Sequence, residues 1–273
     1  MPELPEVETV RRTLAPRVLG RTLEDAIVTY APMVRPDTPH AFSEALAGQT
    51  IRNIARYGKY LVFELDSLAL IVHLRMEGKF FLGDTTTKKQ PHEHIRYRFK
   101  DGGVLIYDDV RKFGTHTVKP LVDYRLRPPI STLGLEPGDP RLTDTYLKAK
   151  FNTTRTIKSA LLDQTIILGL GNIYVDEVCF CAKIRPTTRA NRLSKPARLR
   201  IIDCAARVID KAIKLGGSSI RSYTDSLGVT GRFQNELNVH MREGEACPVC
   251  GHTVKKTRVA GRGTYYCRRC QKA

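Results

Sequence analysis

Nowhere in this 273-residue sequence does an apolar run reach the roughly 18 residues that a membrane helix needs. An integral membrane protein is therefore not expected. The start of the chain is charged from Glu3 onward and has no apolar signal-peptide core, so export is not expected either. No internal repeat or low-complexity segment is evident. Acids are the scarce charge, with 28 Asp and Glu against 45 Lys and Arg and a formal net charge of +17. Such a field attracts polyanions, either nucleic acid or an anionic membrane surface. A cytoplasmic location is expected. In that compartment the seven cysteines read as metal ligands and buried thiols rather than disulfides.

What is present suggests several parts. A hydrophobic content of 41% is enough for real cores, and the length suits one large domain or two ordinary ones with a small appendage. Leu4, Val7, Val10, Leu14 and Val18 have helical spacing, which predicts a helix over 4–20 stopped by Gly20. From about 22 to 120 the pattern turns to short strands. Leu61-Val-Phe63, Leu70-Ile-Val72 and Val104-Leu-Ile106 are buried-strand candidates, and Ile95, Tyr97 and Phe99 alternate with Arg96 and Arg98. Many short strands between Gly and Asp turns predict a β-sandwich or barrel. Arg127-Pro-Pro129 and Gly134 to Pro140 read as a linker. Beyond it the period is helical. Leu199, Ile202, Ala206, Ile209 and Ile213 would share a face, with Ser194 as cap and Gly216-Gly217 as stop. The expected domains are 1–130, a linker over 131–145, a helical domain over 146–236 and a metal module over 237–273.

Cys247-Pro-Val-Cys250 and Cys267-Arg-Arg-Cys270 are two CxxC knuckles at zinc-ribbon spacing. Four thiolates complete a tetrahedral shell and leave no open position, so one structural zinc is expected and metal hydrolysis is not. Cys179, Cys181 and Cys204 lie in apolar helical stretches and read as packing residues. Between the knuckles, Val254 to Tyr266 reads as a β-hairpin with Gly261-Arg262-Gly263 at its tip. An arginine between glycines can approach a phosphate closely and offer it a bidentate donor. The alternative is a solvated turn. Gly171-Asn172 would open a helix with Asn172 as cap, and helix N-termini suit phosphates. Met76, Arg111 and Phe113 follow strands and neighbour charges. Apolar wedges beside an arginine are what a protein needs to hold an unstacked DNA gap open, although Met and Phe are more often core. His92 and His94 have metal-pair spacing without a further ligand nearby, so a phosphate contact or a polar strand edge is expected instead.

Removal of Met1 would leave Pro2 as a secondary amine beside Glu3 and Glu6. A terminal amine titrates at roughly pH 7.7–8, so a useful fraction is nucleophilic at neutral pH. It can attack an electrophilic sugar carbon and collapse to an iminium, with Glu3 placed to move protons. Taken alone, the same residues are also an ordinary helix start.

Five segments together resemble one family. Met1-Pro-Glu-Leu-Pro-Glu-Val-Glu-Thr-Val-Arg-Arg12, His73-Leu-Arg-Met-Glu-Gly-Lys79, Asp109-Val-Arg-Lys-Phe-Gly114, Gly169-Leu-Gly-Asn-Ile-Tyr-Val-Asp-Glu177 and the four-cysteine tail are similar to bacterial formamidopyrimidine-DNA glycosylases. The resemblance runs in the family's order from residue 2 to about 271. It implies an α+β multidomain fold: an N-terminal helix with a β-sandwich, a helical helix–two-turn–helix domain and a C-terminal zinc finger. It implies excision of oxidised purines from duplex DNA, then β,δ-elimination of the abasic strand. By this match Pro2 is the nucleophile, Glu3 the proton donor and Glu6 their support. Lys59 is matched to β-elimination or phosphate binding, and Arg262 to phosphate binding and δ-elimination. Met76, Arg111 and Phe113 would fill the vacated hole, Asn172 would contact a phosphate, and residues 217–231 would close over the flipped base. Three positions depart from the pattern. Leu168 replaces a small residue, Arg185 a histidine, and Asn152-Thr-Thr154 a basic phosphate contact for which Lys150, Arg155 or Lys158 would substitute, with Lys158 expected to bind DNA. The implied partner is lesion-bearing double-stranded DNA, bound by a monomer without membrane contact and associated with the bacterial nucleoid through that DNA. Two alternatives stand beside this reading. One is an endonuclease VIII-like enzyme for oxidised pyrimidines; the other is a non-enzymatic zinc-ribbon DNA-binding protein.

Overall fold

The computed structural model describes residues 2–218 and 231–272. The chain divides into two compact units, 1–131 with 216–231, and 132–215 with 232–273.

The first unit opens with α1 (Leu4–Val18), whose Val7, Val10, Leu14 and Val18 face the core as their spacing predicts. Next come β1 (Leu23–Val28), α2 (Pro39–Leu46), β2 (Asn53–Tyr57), β3 (Tyr60–Glu64), β4 (Leu68–His73), β5 (Lys79–Asp84), β6 (Glu93–Phe99), β7 (Gly103–Asp108) and β8 (Thr115–Pro120). They form two four-stranded antiparallel sheets, ordered β1-β6-β7-β5 and β2-β3-β4-β8. One apolar core joins the two sheets and α1, with Phe63, Phe80, Tyr97 and Tyr107 among its largest members. In β6, Ile95, Tyr97 and Phe99 point inward. Arg96 and Arg98 lie on the half-exposed outer face and pair with Glu93 and Asp25. Pairing of His73 with Thr115 and of Lys79 with Asp108 brings the β4–β5 and β7–β8 turns side by side at one end of the sandwich.

The second unit is helical: α3 (Asp144–Lys150), α4 (Ile157–Leu161), α5 (Asn172–Cys181) and α6 (Lys195–Lys214), then the hairpin β9 (Lys255–Val259) and β10 (Arg262–Tyr266). The buried stripe of α6 is Ala197, Ile201, Cys204, Ala205, Ile209 and Ala212. This is rotated from the expected face. Leu199 is exposed, and the buried stripe mixes small Ala and Cys side chains with Ile201 and Ile209. Ser194 occupies the cap position without a side-chain cap bond. Phe180, Val239 and Val254 pack around Cys247 and Cys267, giving the metal module a small core of its own.

One expectation is overturned here. Cys181 and Cys204 are not separate packing thiols but a disulfide between α5 and α6, with Cα atoms 5.8 Å apart. Their apolar helical settings reveal burial, but not that two helix faces bring them together.

Candidate functional site

In the first unit, Glu3 caps α1 in extended conformation, and its N–H donates to Glu6 Oε2 at 2.8 Å in a reciprocal capping box. Both acids are buried, as is Pro2. The other Glu6 oxygen accepts from Ser218 N–H at 2.7 Å. The helix-start reading of this segment is therefore correct, and it is also what fixes the chain's head. The loop expected over 217–231 lies outside the described residues except at Gly217, Ser218 and Gly231.

One turn further along α1, Glu8 gathers three arginines. Arg11 Nη2, Arg12 Nε and Arg56 Nε donate to it at 2.8, 2.7 and 2.9 Å. Burial alone would raise its pKa, but these bonds outweigh burial and hold it at about 2. Arg56 also donates to the Gly58 carbonyl at 3.2 Å. The helix head is thereby tied to the tight β2–β3 turn that carries Lys59, itself only 5% exposed. His73 at the end of β4 lies edge-on to Tyr60, 4.6 Å between ring centres, and its Nδ1 accepts from Arg75 N–H at 3.0 Å. Burial, then the charges of Arg75 and Lys59, push its pKa down to about 3. His73 is thus a neutral acceptor at pH 7. The sequence reading gave it no role, although it heads the His73-Leu-Arg-Met76 segment.

Met76 and the Arg111/Phe113 pair occupy the two turns after β4 and β7, as expected. The first turn closes through Gly78 N–H to the Leu74 carbonyl at 3.0 Å. The second is organised by the fully buried Asp109. Its carboxylate accepts from the N–H groups of Arg111, Phe113 and Gly114 at 3.0, 2.9 and 2.8 Å. Each turn contains one non-glycine residue in left-handed conformation, Arg75 (φ 55°) and Lys112 (φ 58°), the kind of backbone cost that surrounding contacts must hold in place. Tyr107 Oη sits beside both turns. A Cβ on Gly78 would lie 2.0 Å from that oxygen, and one on Gly114 1.8 Å. Phe113 is 52% exposed, an unusual cost for a large aromatic, with the Arg111 guanidinium 4.9 Å from its ring centre. No ion pair involves Arg111 among the described residues. Exposed His92 lends its carbonyl to Asp109 N–H at 3.0 Å, tying the start of β6 to the same turn.

In the second unit, α5 supplies an anchor for the hairpin. The cap of α5 is Gly171, not Asn172, which is the first helical residue. Extended backbone at Gly171 frees the Asn172 side chain, whose Nδ2 donates to the Gly263 carbonyl at 3.1 Å. Lys158 is fully buried. Its Nζ binds Asp176 Oδ1 at 2.8 Å and the same Gly263 carbonyl at 2.9 Å. This corrects its reading as a DNA contact: its ammonium is spent inside the protein, positioning the residue after Arg262. Of the other substitutes considered for a basic residue at 152–154, Arg155 pairs with Asp163 and Lys150 is exposed. Asp176 Oδ2 meets His240 Nδ1 at 2.8 Å and Tyr265 N–H at 3.3 Å. Glu177 accepts from the N–H groups of Asn238, Val239 and His240, each at 3.0 Å. Asp176, Glu177 and His240 had no assigned role in the sequence. The helical period puts both acids one turn past Asn172, but nothing local names their distant partners. Arg262 is exposed and opens β10 opposite Val259. The hairpin tip is Ala260-Gly261, both left-handed, so Arg262 lies just beyond the turn rather than at its centre.

The sulfurs of Cys247, Cys250, Cys267 and Cys270 all lie within 4.8 Å of one another. Sulfurs bound tetrahedrally at the usual zinc distance would be about 3.8 Å apart. The pairs Cys247–Cys270 and Cys250–Cys267 are at 3.9 and 3.5 Å, so the residues fit a closed zinc shell.

The chain matches three family models in succession: the formamidopyrimidine-DNA glycosylase N-terminal domain over 1–116, the H2TH domain of the same enzymes over 133–224, and the zinc finger found in FPG and IleRS over 244–273. A formamidopyrimidine-DNA glycosylase of Bacillus cereus is 47% identical, with 99% of each chain covered. A Lactococcus lactis FPG variant in complex with Fapy-dG DNA is 43% identical, with TM-score 0.93 over the whole of both chains. The wild-type L. lactis enzyme in complex with DNA containing an oxidised pyrimidine is 42% identical, with TM-score 0.92 over the whole of both chains.

Proposed function

This chain belongs to the formamidopyrimidine-DNA glycosylase family, and on that premise we propose that it excises oxidised purines from duplex DNA through the amine of Pro2 and then cleaves the abasic strand. The observation that carries the reading is the head of α1, where Pro2 is buried beside two acids whose positions are fixed by the capping box and Ser218. A base within a duplex hides its C1′, so the nucleotide must be flipped at a cost of about a few kcal/mol. Phe113 and Met76 fill the vacated space, and Arg111 faces the orphaned base. The Pro2 nitrogen attacks C1′, the C1′–N bond to the base breaks, and the proton released by the nitrogen goes to the departing base. Glu3 supplies a proton as the sugar ring opens, and the electrons of the nitrogen complete an iminium. That iminium acidifies the C2′ proton, so β-elimination expels the 3′ phosphate, and δ-elimination the 5′ phosphate. Lys59 and Arg262 hold those phosphates. Glu6 is a positioning residue. Zinc holds the finger that carries Arg262 and does no chemistry. The enzyme works in the bacterial cytoplasm, on nucleoid DNA.

Borohydride trapping on a duplex with one 8-oxoguanine tests the nucleophile. Processed protein should give a covalent adduct. Protein extended before Pro2 should bind DNA but give neither adduct nor excision. Equal trapping by both forms would end the proposal. The L. lactis complex with an oxidised pyrimidine favours a second, broader reading in which such lesions are also substrates. Comparing excision of thymine glycol with 8-oxoguanine decides how far this range extends.

A further inference from the structure

We propose that Cys181 and Cys204 are a reversible redox site, a dithiol that a small disulfide of the glutathione class oxidises in the folded, zinc-loaded protein. Cys181 is the last residue of α5 and is half-buried, and Cys204 lies on the buried face of α6. Their Cα separation of 5.8 Å is that of a bridge needing no backbone movement. Arg207, one turn beyond Cys204, places Nη2 3.5 Å from each sulfur. A guanidinium there favours thiolate over thiol and so favours exchange in the reduced state. Asp203, 2.7 Å from the same guanidinium, moderates this effect without removing it. Cys179 is two residues away, but burial pushes its thiol well up, which leaves it a bystander.

The same chain argues that the bond is made and broken rather than permanent. Four further cysteines stand together unpaired as a zinc shell. A compartment that oxidised every neighbouring thiol pair would consume that shell in any molecule not yet loaded with metal. The 181–204 pair must therefore close under conditions that spare the zinc thiolates. In the step itself, the Cys181 thiolate attacks the small disulfide and releases one glutathione thiolate. The Cys204 thiolate then attacks the mixed disulfide at Cys181 and releases the second. Two electrons pass from the cysteine pair to glutathione disulfide, and the two cysteine protons pass to the two leaving thiolates. The product staples α6 to the C-terminal end of α5, the helix that also holds the hairpin through Asn172 and Asp176. An oxidising cell is where purine lesions arise, so the staple would form when the enzyme has most to do.

The test is to equilibrate full-length zinc protein with glutathione buffers of graded ratio, alkylate free thiols, and map peptides by mass spectrometry while assaying bound zinc. A linked 181–204 peptide should appear with zinc retained and disappear in excess reduced glutathione. The oxidised protein should melt about 5 °C or more above the reduced one. Cys204→Ser should give no link, accumulate glutathione on Cys181, and show no shift in melting temperature on oxidation. Arg207→Met should form the link several-fold more slowly. The proposal is overturned if no link forms at any ratio that leaves zinc bound, or if the link in native protein survives excess reduced glutathione. An unchanged rate in Arg207→Met would remove the guanidinium from it.

Discussion

Replacing Gly114 by alanine should disable the Arg111/Phe113 turn through a single steric clash, and removing the Tyr107 hydroxyl should partly restore it. Gly114 does not use left-handed backbone, so alanine is conformationally acceptable there. The obstacle is space: the new Cβ would lie 1.8 Å from Tyr107 Oη and 2.7 Å from Cζ. Neither side yields easily. The Tyr107 ring is fully buried, edge-on to His116 at 4.3 Å and Phe80 at 5.3 Å. Gly114 N–H is fixed on Asp109. Overpacking of this kind costs about 1–3 kcal/mol. Tyr107→Phe removes the closest atom but leaves Cζ, so relief should be partial. The double variant should therefore be more stable than the sum of the singles by about 1 kcal/mol. Because the strain falls on the turn that carries the wedge, Gly114→Ala should slow excision of 8-oxoguanine roughly tenfold or more, with partial recovery in Gly114→Ala/Tyr107→Phe. Denaturant unfolding and single-turnover excision measure both effects. Strictly additive singles, or a Gly114→Ala enzyme of normal rate, would refute the argument.

Other expectations follow from the same geometry. Arg111→Ala should lower the preference for cytosine over adenine opposite the lesion roughly ten- to hundredfold, because one bidentate contact is worth about 1–3 kcal/mol. An unchanged ratio in single-turnover assays would remove its reading role. Cys250→Ala should weaken binding to all duplexes and flatten its salt dependence, since phosphate contacts made from the finger are lost; binding titrations across salt check this. Acid should destabilise the fold well before its carboxylates protonate. His73 and His116 are held by burial at about 3, below the usual 6.5, so the unfolded chain takes up protons first and stability is lost as pH falls below about 6.5. Between pH 7 and 5 the loss should be on the order of 2–4 kcal/mol. Over that range Glu8, held near 2, contributes almost nothing. Equal unfolding free energies at pH 7 and 5 would contradict this.

The architecture was legible where one residue's pattern reports its own surroundings. Alternation in β6 and the period of α1 needed no partner to be read, and neither did the CxxC pairs. The expected α6 face follows the large apolar residues, whereas the buried stripe also takes in Ala197, Ala205 and Ala212, whose small side chains carry little periodic signal. Lys158 departs from expectation for a related reason. A lysine in a basic chain suggests an outward charge, and only the fold reveals that Asp176 and Gly263 enclose it. The disulfide and the Asp109 nest depend on contacts between separate segments or on backbone amides, neither of which has a residue-level signature.

The grip of Asp176 and Glu177 has a consequence for protein engineering. The finger is not a cassette that can be cut near residue 237 and grafted elsewhere. Its first amides, at 238–240, and the Tyr265 amide in its hairpin are satisfied by two carboxylates belonging to α5. A transplanted finger would keep its zinc but lose those carboxylate anchors to water, and its arginine would have no fixed direction. The smallest portable piece is the finger together with α5 and Lys158, a discontinuous unit whose parts must be inherited as one.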